Sequence, residues 1–266
     1  MLKLHVLASG SAGNAAVVEN AATGRGVLID CGICKRDFLA RCAEAGFDPS
    51  GIEAVAVTHE HGDHVKGLGV VLRGIAKLGT HPAVYANPAS VAASSALADI
   101  AKAFDVRPMA AFTAAGMTVA PFPTSHDAAA SCGFRIEDAS DGDALGYMTD
   151  TGVVTPQAHA ALSGVRLLAI EANHDPHMLE TGPYPYPIKQ RIASDDGHLS
   201  NDQAAAEVRA LAHGGLACVV AMHVSQNNNE YGLARAALEV AVREAGANAR
   251  VLCGYQARLT SVDIDA

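Results

Sequence analysis

No stretch of this sequence approaches the roughly 20 consecutive apolar residues that a transmembrane helix needs. Its apolar runs are short and interrupted, so there is no membrane span to place. Met1-Leu2-Lys3-Leu4-His5-Val6-Leu7 runs straight into Ser9-Gly10-Ser11. The long apolar core and cleavage site of a secretory signal are missing there, and the expected location is the cytoplasm. Positive charge is also scarce: 19 Lys and Arg against 28 Asp and Glu give a formal net charge of −9. Proteins that grip polyanions by charge alone are basic. Nucleic-acid binding therefore draws no support from composition and would rest on a local patch or on metals. The charged fraction, 18%, is too low for a disordered chain, while 50% hydrophobic residues supply a substantial core.

Paired cysteines are nearly absent. Of the six, only Cys31 and Cys34 have the spacing of a redox or zinc motif. A structural zinc site needs a second pair, which Cys42, Cys132, Cys218 and Cys253 do not provide. Ordinary thiols in a reducing compartment are the better reading.

At 266 residues the chain is long enough for one large α/β domain or two small ones. No linker, low-complexity tract or solenoid repeat divides it. Residues 3–8, 15–19, 26–30, 54–58 and 83–86 have strand character. Residues 35–45, 65–78 and 89–103 have helical periodicity. The pattern recurs with strands at 117–122, 133–136, 144–149 and 166–171 and a short helix at 156–162. Helix 202–212, strand 217–222 and helix 231–245 follow. Only 175–197, with Pro176, Pro183, Pro185 and Pro187, resists assignment. A proline-bearing loop of that length in a compact domain is more often functional than idle. Alternation of this kind supports a layered α/β domain without choosing its topology.

The strongest chemical signal is His59-Glu60-His61-Gly62-Asp63-His64, directly after strand 54–58. Imidazole and carboxylate suit borderline divalent metals. Residues two apart at a strand end can point the same way, so His59 and His61 can meet one ion. Gly62 permits a sharp turn that brings Asp63 and His64 toward a second. A solvated His-rich turn is the rival, and four potential ligands in six residues count against it. His126, Asp150 and His223 each follow a strand-like run as well. Singly they would be packed histidines or a capping aspartate. Together they complete two coordination shells, with Asp150 negative enough to bridge both ions. Zinc fits this set best, and manganese or iron also fit.

These segments, in this order, resemble the metallo-β-lactamase superfamily over nearly the whole chain. Asp30 matches the family's first acid, which supports the metal loop rather than ligating. The resemblance implies an αββα sandwich, a single domain over 1–266, with two divalent ions at the edge between the sheets. Within the superfamily the chain is most similar to the YycJ/WalJ branch, related to tRNase Z and RNase J. Residues 8–14, 58–67, 125–128, 171–175, 197–201 and 223–228 carry that likeness. It implies a nuclease, a 5′-to-3′ exonuclease on DNA rather than RNA, using hydroxide generated at the two ions. Asp63 would orient the nucleophile and accept its proton. Glu171 and His198 match the pair that, in tRNase Z-like enzymes, holds a proton donor near the leaving oxygen. A histidine in a helix cap near Ser200 and Asn201, with Glu171 at a strand end, is the alternative.

Substrate contacts are expected from Ser9, Ser11 and Asn14 in the glycine-containing turn, whose amides suit a phosphate as well as they suit a tight β-turn. Asn173, Lys189 and Arg191 are further candidates. Between His126 and Asp150 there is room only for a hairpin, so the long arm of tRNase Z is missing. Between Asp150 and His223 there is no space for the extra RNase J domain. A thioesterase of glyoxalase II type or a lactonase is the rival enzyme class, favoured by the acidic charge. A non-enzymatic binding module is the third reading, opposed by the intact ligand set. Nothing in the sequence marks an oligomeric state.

Overall fold

A computed structural model describes residues 1–263 of the chain. The first sheet is built from β1 (Leu2–Ala8), β2 (Ala15–Asn20), β3 (Arg25–Ile29), β4 (Ile52–Ala56), β5 (Ala83–Ala86) and β6 (Val106–Pro108). The second takes β7 (Phe112–Ala114), β8 (Met117–Pro123), β9 (Cys132–Asp138), β10 (Ala144–Met148), β11 (Leu167–Glu171), β12 (Cys218–Met222) and β13 (Arg250–Cys253). β14 (Thr260–Val262) returns to the first sheet beside β1. Each sheet begins antiparallel and turns parallel, from β3 onward in the first and from β10 onward in the second.

Between β3 and β6 run α1 (Lys35–Ala45), α2 (Gly62–Val65), α3 (Leu68–Ala76), α4 (Pro88–Ala93) and α5 (Ser95–Ala103). After β10 come α6 (Pro156–Leu162), α7 (Pro176–Thr181), α8 (Tyr186–Ile192), α9 (Asn201–Leu211) and α10 (Tyr231–Glu244). Three apolar layers result. Leu4, Val27 and Ile29 meet Phe134, Tyr147 and Val220 between the sheets. Phe38, Leu68, Leu72 and Ile100 cover the first sheet's outer face, and Leu162, Val208 and Leu238 cover the second's. β12 is buried at all five positions, the continuous apolar run of a parallel strand covered on both faces. α3 buries Leu68, Val71, Leu72 and Ile75, one face at helical spacing. The architecture is the expected αββα sandwich. No helix among the described residues is long and apolar enough to cross a membrane.

Three expected elements differ. The helix expected over 65–78 is interrupted at Lys66 and Gly67, where Gly67 N–H donates to Cys31 O at 3.0 Å rather than to the helix, and a Cβ on Gly67 would collide with the carbonyl of Ile33. The helix expected over 89–103 is interrupted at Ser94, which is extended and caps α5 by accepting from Leu97 N–H at 3.4 Å. Residues 175–197 hold α7 and α8. Asp175 caps α7, accepting from Met178 N–H at 2.9 Å, and Pro176 occupies the first turn, where a missing N–H costs nothing. The prolines start helices here rather than break them.

Candidate metal centre

The strands β3, β4, β8, β10, β11 and β12 all end at one edge of the sandwich, and each delivers site residues there. Asp30 follows β3, the histidine string follows β4, His126 follows β8, and Asp150 follows β10. Glu171 closes β11, and His223 follows β12. Asp30, Asp150 and His223 have φ of 54°, 56° and 51°. A side-chain-bearing residue held in that left-handed region costs about 1–3 kcal/mol, a strain typical of functional positions.

The seven expected ligands converge. One ligand atom from each of His59, His61 and His126 lies within 4.8 Å of the other two, and the same holds for Asp63, His64 and His223. Asp150 groups with His59 and His64 within that distance, between the two sets. His61 Nδ1 and His126 Nε2 face each other at 3.2 Å. Asp150 Oδ2 lies 3.3 Å from His64 Nε2 without hydrogen-bond geometry.

Four rings are aimed the same way. Nδ1 of His59 meets Thr58 Oγ1 at 3.0 Å, and Nδ1 of His64 meets Asp30 Oδ2 at 2.8 Å. Nδ1 of His126 donates to Gly197 O at 3.1 Å, and Nδ1 of His223 to Glu171 Oε1 at 3.1 Å. Each outer bond fixes a tautomer and turns Nε2 inward. The inner atoms His59 Nε2, His223 Nε2 and Asp150 Oδ2 are buried and have no hydrogen-bond partner. An orphaned buried polar atom costs about 1–3 kcal/mol. Three orphans at the focus of two donor sets are what a bound cation would satisfy, so the residues fit divalent metals.

The electrostatics agree. Burial lowers the His59 imidazole well below its usual range, which keeps it neutral as a ligand must be. Burial alone would raise the Asp150 carboxyl, but the imidazoles of His223 and His64 hold it well below the carboxylate range. Burial would likewise lower His223 and His64, yet Asp150, Asp63 and Glu171 push His223 up to about 10 and Asp150 and Asp30 raise His64, so a cation binding these two rings would displace their protons. Asp63 is held below its usual value by His223 and His64, against the opposing effect of burial.

Behind the candidate ligands stands a supporting layer, of which Asp30 is the member that the resemblance implies. Asp30 is buried and accepts from Thr58 N–H at 2.8 Å and Thr58 Oγ1–H at 2.7 Å. Ser9 and Asn14 also lie in this layer. Ser9 Oγ accepts from His223 N–H at 2.7 Å, and Asn14 Oδ1 accepts from Gly10 N–H at 2.8 Å. Asn14 Nδ2 reaches His64 Nε2 at 3.0 Å. Both side chains are buried and spend their polar atoms on protein, not on the cleft. Gly32 is required where the Asp63 loop packs, since a Cβ there would strike the Asp63 carbonyl.

In front opens a cleft of about 280 Å³. His61, Asp63, His126, Asp150, His198 and His223 line it, with Ser11, Asn173 and Ser225 on one side and Tyr184, Ile188, Arg191 and Ile192 on the other. His198 Nδ1 donates to Glu171 Oε1 at 2.8 Å, and the His198 side chain is 19% exposed, facing the cleft. Arg191 is ion-paired with Asp127 at the mouth. Lys189 does not line this cleft; its Nζ donates to Glu180 O at 2.7 Å on the other side of α8. Tyr184, Ile188, Ile192 and Asp127 went unnoticed in the sequence, because the first three lie in the unassigned 175–197 segment. Ser225 lies within the string that follows His223 and was not singled out.

Cys31 is buried, and burial pushes its thiol up to about 12, whereas Cys34 is exposed ahead of α1; all six cysteines are free. Residues 126–150 contain only the β9–β10 hairpin.

The family model described as a beta-lactamase superfamily domain matches residues 25–224. The chain is 32% identical over 250 residues to exodeoxyribonuclease YycJ of Bacillus anthracis, covering 92% of this chain and 90% of the relative. It is 33% identical over 235 residues to exodeoxyribonuclease WalJ of Streptococcus pneumoniae serotype 2, covering 85% and 83%. Among solved structures, Zn(2+)-bound PqqB from Methylobacterium extorquens matches with a TM-score of 0.71, over 98% of this chain and 100% of that one. At 17% identity this is a likeness of fold.

Proposed function

Because the chain belongs to the metallo-β-lactamase superfamily and is a metal-dependent hydrolase, we propose that it is a cytoplasmic nuclease that cleaves phosphodiesters, a 5′-to-3′ exonuclease acting on DNA. The observation that carries this reading is the Glu171–His198 pair, a histidine outside both donor sets, fixed at 2.8 Å by a buried carboxylate and facing the cleft. A thioester, whose thiolate leaves readily without a proton, needs no such dedicated donor. The names of the relatives at 32–33% identity support the choice of DNA over RNA.

His59, His61 and His126 would hold one divalent ion and Asp63, His64 and His223 the other, with Asp150 between them. Zinc suits this donor set best, and manganese or iron also suit it. When bound, such ions stabilise phosphoryl charge and lower the pKa of water from about 15.7 to about 7. Asp63, held as a carboxylate by its neighbouring imidazoles, orients the attacking water and takes its proton. His198 gives a proton to the departing oxygen. Glu171 accepts from His198 Nδ1–H, which orients the ring and leaves Nε2 as the donating nitrogen. Ser11, Asn173 and Arg191 line the cleft where phosphates on either side of the scissile bond would lie.

The test is incubation of metal-loaded protein with end-labelled single- and double-stranded DNA and RNA beside a thioester, with nucleic-acid products resolved by length over time. Progressive shortening of DNA from the 5′ end is expected. Thioester turnover without nucleic-acid cleavage overturns the reading.

A further inference from the structure

Helix α8 separates two cavities. Ile188, Arg191 and Ile192 face the catalytic cleft, while Tyr186, Lys189 and Ala193 line a second cavity of about 370 Å³ between α7 and α8. The chain makes the same division one step at a time: Asn173 lines the cleft and His174 lines the second cavity. A helix with its side chains is about 10–12 Å across, so the two spaces are close neighbours.

The second cavity is built differently from the cleft. Pro176, Leu179, Tyr186 and Ala193 give it a mainly apolar lining, and its volume falls in the roughly 300–1,000 Å³ range of small-molecule sites. His174 is 4% exposed, and its Nδ1 is buried without a hydrogen-bond partner. Lys189 stands beside it, and its single bond to Glu180 O leaves two of its three N–H donors.

We propose that this cavity is a nucleobase subsite, in which His174 hydrogen-bonds the edge of a base, Tyr186 stacks on its face and Lys189 takes its phosphate. An aliphatic occupant would cover the edge of the His174 imidazole that lines the cavity and offer it no polar partner. A base carries donors and acceptors along its edge and a flat face that stacks on an aromatic ring. Burial keeps His174 neutral, its imidazole lowered to about 4, so one ring nitrogen can accept and the other donate. The base comes either from a neighbouring nucleotide of a bound strand or from a released mononucleotide. The choice of a base rests on the nuclease reading; the cavity and its orphaned nitrogen do not.

Metal-free protein separates the two questions, because binding there needs no cleavage. Deoxyadenosine monophosphate and ribose 5-phosphate are titrated calorimetrically, and a fluorescent single-stranded hexanucleotide is titrated in parallel. Each titration uses wild type and Ala193→Phe, an exposed position whose enlargement fills the cavity. If mononucleotide is the source, it binds at least tenfold tighter than the sugar phosphate, and Ala193→Phe removes that difference. If a strand nucleotide is the source, the hexanucleotide loses at least tenfold in affinity on Ala193→Phe. A variant that matches wild type for both nucleotide ligands, with its circular dichroism unchanged, overturns the subsite whatever bond the enzyme hydrolyses.

Discussion

His198 and His223 share one oxygen: Glu171 Oε1 accepts from His198 Nδ1 at 2.8 Å and from His223 Nδ1 at 3.1 Å. The other carboxylate oxygen accepts from Thr151 N–H at 2.9 Å and Leu199 N–H at 3.3 Å. One buried carboxylate thus aims a cleft-facing ring and a donor of the metal centre together, and both of its oxygens face only donors.

Glu171→Gln puts an NH₂ group where two N–H donors already point, so one pair of bonds is lost whichever way the amide turns. Metal affinity should fall by about 10–100-fold, the usual cost of an outer hydrogen-bond partner, and turnover should fall with it even at saturating metal. Competition with a chromogenic chelator measures the first effect, and initial rates at several metal concentrations measure the second. Unchanged metal affinity would show that His223 does not depend on Glu171.

Asp30→Asn isolates the same kind of support at His64, a second member of the donor set that holds His223. Asn tolerates the left-handed backbone that Asp30 occupies, so the turn should survive. Of the three donors around Asp30, Thr58 N–H, Thr58 Oγ1–H and His64 Nδ1–H, an amide can satisfy fewer. We expect a loss of about 10–100-fold in metal affinity with an unchanged circular dichroism spectrum; full affinity would mean that His64 is not aimed by Asp30.

Asp150→Ala removes the carboxylate that lies between the two sets. Both ions should be lost or reduced to one, and turnover should fall by more than the roughly 100-fold upper range for an outer partner. Elemental analysis settles it: two ions still bound per chain would exclude a bridging role.

The candidate ligands were legible because they are local. The histidine string is contiguous, and His126, Asp150 and His223 each end a strand whose apolar run marks its own boundary. The supporting layer was not legible in the same way. Ser9 and Asn14 sit in a turn that suits a phosphate, and only the packing of that turn against His223 and His64 shows their side chains turned to protein. The break at Gly67 follows from its N–H bonding Cys31 O, more than thirty residues away in the chain. The cleft wall from Tyr184 to Ile192 was hidden by Pro183, Pro185 and Pro187, which read as a loop until each is placed before or within a helix's first turn.

His174 offers a pH test apart from the metals. Its imidazole is lowered from 6.5 to about 4, chiefly by burial, aided by His198 and opposed by Glu171, Asp175 and Asp202. The folded state therefore binds this proton later than the unfolded chain. The stability linked to it is complete above about pH 6.5 and is lost as pH falls toward 4, up to about 3 kcal/mol. In His174→Gln this term is absent. Denaturant melts of both metal-free proteins should show wild type losing more stability than the variant between pH 7 and 4, while the shared titrations cancel. Parallel pH profiles would place the His174 imidazole in water.

His198 tests the mechanism most directly. It lies outside both donor sets, and among the described residues its ring's hydrogen bond goes to Glu171. His198→Ala should therefore keep its metals and its fold while turnover falls. General acid catalysis is typically worth about 10²–10⁴-fold, and a loss of that size is expected on DNA, whose leaving alkoxide needs a proton. On bis-p-nitrophenyl phosphate the leaving phenolate departs without one, and the loss should shrink toward unity. Equal losses on the two substrates would make His198 a phosphate-binding group. Loss of metal in His198→Ala would make it a ligand, since it also lies within 4.8 Å of ligand atoms of Asp150, Glu171 and His223. Only the combination of retained metal and a leaving-group-dependent loss identifies a proton donor.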